Sequence, residues 1–348
     1  MRLLQKYRKW IIKGVCFVLG FCLLFWVAQR LLSAKWLDRA GQTGAWMEFR
    51  ELEPDTVDAL FLGTSHTYSG IDPMYIYENS GITSFALSGP GMRFDLTYMV
   101  LKDALKTQKP KVVFLDMSSV HFDRQQTEGR IHKVLDQLPL SKEKLKFAFH
   151  TDNDELSTLD ALFPLFRYHS RWEMLEQQDF QYAAGSIEAP VWRGHYVNYR
   201  VAATEYYFYE EGRKDGECHI EGRALECLRK IDQLCKDEGI QLVLYKIPAP
   251  TWYKLQSDGS AELAEEFGIP FLELFYCVDE IGLDPATDFR DRKNHLNQYG
   301  AEKVSGYMMK YMQKNFEMED QRGKNADWDQ DLILYQEHKA EIASGAVA

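Results

Sequence analysis

The chain has 348 residues, 45% of them hydrophobic, with 41 Lys and Arg against 52 Asp and Glu, a net charge of −11. That balance excludes a nucleic-acid binder, which needs a basic face, while the length can bury one large core. Six cysteines occur without a Cys-x-x-Cys pair, and no phosphate loop, dinucleotide fingerprint or internal repeat is present, so thiol-metal, redox and nucleotide classes fall away.

The charge is uneven along the chain. Residues 1–13 carry Arg2, Lys6, Arg8, Lys9 and Lys13 with no acid, and Gly14 to Gln29 carry no charge. About 20 apolar residues cross a bilayer, and Lys13 and Arg30 can reach the headgroups from either end. A transmembrane signal anchor is therefore expected over 14–34. Its basic tail would lie in the cytoplasm and the main domain outside, at the cell membrane. No Ala-x-Ala site follows, which favours an uncleaved anchor over a cleaved signal peptide. Residues 35–54 read as a juxtamembrane link.

Val57 to Leu62 is a short apolar run of strand formers closed by Gly63, and it leads into Thr64-Ser65-His66. A hydroxyl at the carboxyl end of a strand sits where open α/β sheets bind ligands. Gly63 permits a tight turn whose amides could face an oxyanion. Asp72-Pro73 then starts a helix that Asn79-Ser80-Gly81 stops. Ile82 to Leu87 is a second strand, followed by Ser88-Gly89-Pro90-Gly91, where Gly89 and Gly91 could bring backbone up to the serine loop or simply turn the chain. Phe94 to Thr107 is helical, and Val112 to Leu115 is a third strand ending at Asp116, which could line the site or cap its turn.

Residues 121–210 lack this alternation and read as an insertion or lid rich in aromatic and charged residues. Its His132, His150, His169 and His195 are too scattered for a metal signature, and no metal or cofactor is expected. Regular alternation resumes with a helix over 223–237, a strong strand Ile240 to Ile247, and a loop through Trp252 that could line a cleft. Cys227 and Cys235, eight apart on that helix, are about 12 Å apart along its axis and cannot pair. A helix over 260–267 and a strand Ile269 to Leu274 follow, then a closing helix Val304 to Phe316. A charged tail, 317–348, is expected to add a peripheral helix over 328–341. Strands joined by helical crossovers imply a parallel sheet.

Before the closing helix stands Thr287-Asp-Phe-Arg-Asp-Arg-Lys-Asn-His-Leu-Asn297. A serine becomes nucleophilic when a base takes its proton and an acid orients that base. Ser65, His295 and either Asp291 or Asp288 could fill these roles. Gly-x-Ser-His after the first strand, with Asp…His-Leu-Asn…Gly-Ala near the end, resembles the SGNH (GDSL-type) hydrolase superfamily. The likeness is to its membrane-anchored branch, related to the D-alanyl transfer protein of teichoic acids (DltD) and to alginate O-acetylation proteins. The resemblance spans 55–316.

What the resemblance implies is a flavodoxin-like three-layer α/β sandwich with a parallel sheet of about five strands behind one transmembrane helix. It further implies a serine O-acyltransferase or esterase acting on a cell-envelope polymer, teichoic acid or polysaccharide. A membrane-bound O-acyltransferase is the partner such systems use. The oxyanion site would fall on Gly63, Thr64, Gly89 and Gly91, with His66, Asp116 and Trp252 near the substrate. Two positions depart from the pattern. Arg292 stands where the family places its acid, three before the His. Phe114-Leu-Asp-Met-Ser-Ser119 offers no Asn where the family has its oxyanion-hole Asn. A non-catalytic, membrane-tethered polymer-binding protein on a degenerate domain of this type is the alternative.

Overall fold

In a computed structural model, residues 2–34, 44–120, 128–150, 156–187, 189–210 and 222–345 are described. Cys218 and the first part of the expected link, 35–43, lie outside them. The chain forms two compact units, one from Met1–Lys35 with Lys144–Glu188 and one from Trp36–Glu143 with Ala189–Ala348.

The larger unit is built on a five-stranded parallel sheet. Its strands are β1 (Ala59–Gly63), β2 (Ser84–Ser88), β3 (Val112–Asp116), β5 (Gln241–Lys246) and β7 (Phe271–Glu273), while β4 (Tyr207–Tyr209) and β6 (Thr251–Tyr253) form a separate parallel pair. The order β2-β1-β3-β5-β7 is that of a flavodoxin-type doubly wound sheet. Leu60 faces Phe85 in β2 and Val113 in β3, so β1 is hydrogen-bonded on both sides. Every residue of β1, β2 and β3 is buried, which is why these strands read as continuous apolar runs rather than alternating ones.

One layer of the core packs Phe61 on Phe114, with centroids 4.7 Å apart and rings nearly parallel, and Tyr245 edge-on to both. Val304, Met308 and Met312 of the helix Gln298–Asn315 belong to the same cluster. Each such side chain stabilises the fold by about 1.5–3 kcal/mol through burial. Helix ends follow the sequence signals. Asp72 accepts the Tyr75 amide at the start of Pro73–Ser80, and Gly81, at φ 74°, ends it in the left-handed region.

Within the region 121–210, residues 144–188 group with the N-terminal helix, and the described residues on either side group with the sheet. The helix expected to be peripheral, observed as Ala326–Ala343, buries Trp328 and Tyr335 fully. Trp328 lies 5.1 Å from Tyr77 and beneath the Arg193 guanidinium, and the Tyr335 hydroxyl donates to Asp72 Oδ2 at 2.7 Å. Trp252, expected near a cleft, is buried in β6, where it stacks on Phe275 at 5.3 Å, edge-on to Phe208.

The smaller unit joins the helix Arg2–Leu32 to the short helices Lys142–His150 (from Lys144 on), Thr158–Leu162, Pro164–Tyr168 and Gln177–Ala184. Side chains along Tyr7–Leu24 of the long helix are exposed, and those near its carboxyl end are partly covered. The cover is specific. Phe25 packs edge-on to Phe163 at 5.7 Å.

Candidate active site

Ser65 is the first residue of a short helix, Ser65–Gly70, that leaves the carboxyl end of β1. β1 and β3 flank the point where the strand order reverses, the place such sheets reserve for ligands. Thr64 is the N-cap, its hydroxyl accepting the His66 amide. Below it Asp116, at the end of β3 and fully buried, accepts the Thr64 amide at 3.2 Å and the Thr64 hydroxyl at 2.8 Å on Oδ2. Its Oδ1 accepts the Ser118 amide at 2.9 Å. Asp116 thus ties the serine loop to the neighbouring strand, and its oxygens are not turned to substrate. Gly63 is dictated by space: a Cβ there would lie 2.3 Å from Asp116 Cβ and from Thr67 Oγ1.

His295 arrives from the other end of the sequence. Residues 289–296 fold back on themselves, closed by a bridge between Phe289 and Leu296, both buried in the core. Asn297 caps the closing helix, its side-chain oxygen accepting the Gly300 amide. Gly300 has no room for a side chain, since a Cβ would stand 2.5 Å from the Asp288 carbonyl. This packing fixes the His from behind.

The geometry then converges. His295 Nε2 lies 2.8 Å from Ser65 Oγ, and His295 Nδ1 lies 2.6 Å from Asp291 Oδ2. Asp291 Oδ1 accepts the amides of Lys293 at 3.0 Å, Asn294 at 2.8 Å and His295 at 3.3 Å. That turn brings Asp291, four residues before His295, back against the ring. Burial acts to raise the Asp291 carboxyl. The hydrogen bond to His295 and the Asn294 and Lys293 amides outweigh it and hold the group below the usual carboxylate range. Asp288 has another task. Only 1% exposed, it accepts from Lys303 Nζ at 2.6 Å, the Asp284 amide at 2.8 Å and the Thr287 hydroxyl at 2.9 Å.

Of the amides expected to face an oxyanion, two are spent elsewhere. Thr64 N–H goes to Asp116, and Gly89 N–H goes to the Gly63 carbonyl at 3.1 Å. Gly91, at φ 61°, turns the chain after β2. Ser65's own amide opens its helix and has no intrahelical acceptor. His66 sits at the site, its ring 5.7 Å from that of His295 and its Nδ1 2.9 Å from Ser118 Oγ. Burial pushes His66 down to about 4; Asp116 acts against that, and His295 and Lys246 act with it. The ring is therefore neutral at pH 7.

Sequence reasoning passed over Ser118, which meets His66 Nδ1 at 2.9 Å. Ser118 occupies the strand end where an Asn was sought, and a hydroxyl two residues past Asp116 was the available signal. Among the described residues no group of three or more His, Cys, Asp or Glu could hold a metal ion.

No family model matches the chain, and no curated protein matches its sequence. Among solved structures, one described as a putative acylhydrolase from Bacteroides fragilis NCTC 9343 aligns over 80% of this chain and 98% of its own, at 11% identity and a TM-score of 0.37.

Proposed function

We propose that this chain is a membrane-anchored serine acyl-transfer enzyme of the SGNH type, an O-acyltransferase or esterase acting on acyl groups of a cell-envelope polymer. The observation that carries the reading is the unbroken run from Asp291 through His295 to Ser65, at 2.6 and 2.8 Å, on the carboxyl edge of a parallel sheet. Ser65 Oγ attacks the acyl carbon while His295 Nε2 takes its proton. The carbonyl π electrons move onto oxygen, which the Ser65 amide stabilises. Collapse expels the alcohol, which receives the proton from His295, and leaves the acyl group on Ser65. Water or an acceptor hydroxyl, deprotonated by the same His, then removes it. Asp291 stays ionised throughout, holding the tautomer and balancing the imidazolium, and its depressed pKa suits that role.

The anchor reading is supported by the helix over Tyr7–Leu32, long and apolar enough to cross a membrane. Trp10 with Lys13 and Trp26 with Arg30 form cation–aromatic pairs near its two ends, where headgroups would lie. With the basic tail inside, the catalytic unit would face the envelope and could work beside a membrane-bound O-acyltransferase.

Hydrolysis of p-nitrophenyl acetate tests the chemistry. An acyl-enzyme mechanism gives a burst of nitrophenol close to one equivalent of enzyme, followed by slower turnover. A non-catalytic polymer-binding protein, favoured by the missing Asn after β3, would give neither phase.

A further inference from the structure

The smaller unit holds the observation least explained by acyl chemistry. Its short helices dock on the last turns of the anchor helix through a reciprocal exchange of caps. Arg30 of the anchor donates to the carbonyls of Ala183 and Tyr182, both at 3.1 Å, at the end of Gln177–Ala184. Arg171 donates in return to the carbonyls of Leu32 at 2.8 Å and Ser33 at 2.7 Å, and to Asp179 Oδ1 at 3.1 Å. Each helix end leaves its final carbonyls without partners, and a charged donor at that end also suits the helix dipole. Phe25 adds rings from Phe163 at 5.7 Å and Phe166 at 6.3 Å.

These contacts fix a height. Phe25 to Ser33 spans about 12 Å of helix, and it includes the Trp26–Arg30 pair that marks the outer end of the span. A bilayer's headgroup layer is roughly 5–8 Å thick on each side of the hydrocarbon. Helices docked on this stretch therefore lie at headgroup depth. They nonetheless leave large apolar side chains uncovered: Phe166, Trp172, Met174 and Phe180, with Trp172 65% and Met174 69% exposed. In water such a set is costly, whereas at a membrane interface it is the usual face of an amphipathic helix.

We infer that segment 144–188 is a membrane-interface collar, its apolar side chains inserted among the lipids of the leaflet from which the anchor emerges. Its charge says what drives insertion. The segment has four Lys and Arg against eight Asp and Glu, so anionic lipid does not attract it. Binding is apolar, and zwitterionic lipid suffices. The inference rests on the anchor reading but not on the acyl chemistry.

The test uses the full chain in phosphatidylcholine vesicles, with photoreactive benzoylphenylalanine replacing one residue at a time. Phe17, within the span, is the lipid reference. Trp172 and Phe180 probe the collar. Gln178, exposed and on the opposite side of its helix from Phe180, is the aqueous reference. Lipid adducts are expected at 17, 172 and 180, several-fold above 178. Yields should be unchanged in about 0.5 M NaCl, where screening is nearly complete. Adducts at 17 with none, or only protein adducts, at 172 and 180 overturn the collar alone. No lipid adduct at 17 overturns the anchor and the collar with it. Yields at 172 and 180 that fall in salt contradict the apolar drive. The unmodified chain gives a second measurement: in vesicles, aqueous peroxide should oxidise Met174 more slowly than half-buried Met318. The reverse order overturns the collar.

Discussion

Two of the histidine–carboxylate pairs in the large unit differ in a way that shows what separates a site from a support. His195 and Asp72 are both fully buried, 3.8 Å apart. Asp72 Oδ2 accepts from Gln298 and from the Tyr335 hydroxyl, each at 2.7 Å, and the Asp72 amide donates to Ser305. His195 Nε2 is 2.9 Å from Gln298 Oε1. Every link ends on another part of the fold, joining the serine-helix region to the closing and C-terminal helices. His295 and Asp291 are tighter, at 2.6 Å, yet 20% and 39% exposed, and the far nitrogen of His295 meets a serine hydroxyl. Proximity of His to carboxylate is common to both. Access and a nucleophile on the second nitrogen belong to one.

The sharpest way to break this comparison is to remove each pair's distinguishing atom. Ser65→Ala or His295→Ala should lower kcat for p-nitrophenyl acetate by about 10⁴-fold or more, down to the background left by binding. Asp291→Asn should cost up to about 10⁴ in kcat by releasing the wrong tautomer. Asp288→Asn should instead lower stability by about 1–3 kcal/mol through weakened bonds to Lys303 and Asp284, with kcat little changed. Equal kcat losses at 288 and 291 would erase the distinction between them.

The support pair predicts a stability effect without a kinetic one. Trp328→Ala should destabilise the chain by about 3–5 kcal/mol in urea unfolding, since the ring is buried beneath Arg193 and against Tyr77. Tyr335→Phe should cost about 1–3 kcal/mol by stripping a donor from buried Asp72. Either variant folded but inactive would show that the two networks are one.

A smaller effect follows from pH. His66 is held at about 4 in the folded chain against 6.5 when free, so between these values the unfolded state binds more protons. Stability therefore rises with pH across that window and falls on acidification, by at most about 1.4 kcal/mol per pH unit from this group. Unfolding of His66→Asn should show a shallower slope between pH 4 and 6.5 than the wild type.

The sheet was legible because fully buried parallel strands are short, largely apolar runs closed by a small or turn-forming residue, and β1, β2 and β3 end on Gly63, Ser88 and Asp116. The serine loop and the His295 segment stood out by residue type and by position at strand and helix ends. Their convergence is a property of topology that spacing alone could only suggest. Spacing could not separate Asp291 from Asp288. The decision lies in the turn made by the Lys293 and Asn294 amides, which leaves no mark on the sequence. The C-terminal helix reads as peripheral in the sequence because acidic and basic residues surround Trp328, Leu332 and Tyr335. Those three recur at helical spacing, a stripe that charge count obscures. The 144–188 segment reads like its neighbours because aromatic-rich texture runs through all of 121–210, and its contacts with the anchor helix distinguish it.

The central claim is that Ser65 is the nucleophile activated by His295, and a fluorophosphonate probe tests it most directly. Peptide mapping of the labelled full-length chain should place the phosphonyl group on Ser65, and labelling should vanish in Ser65→Ala and fall sharply in His295→Ala. An adduct on another residue, or labelling that persists undiminished in Ser65→Ala, would contradict the account.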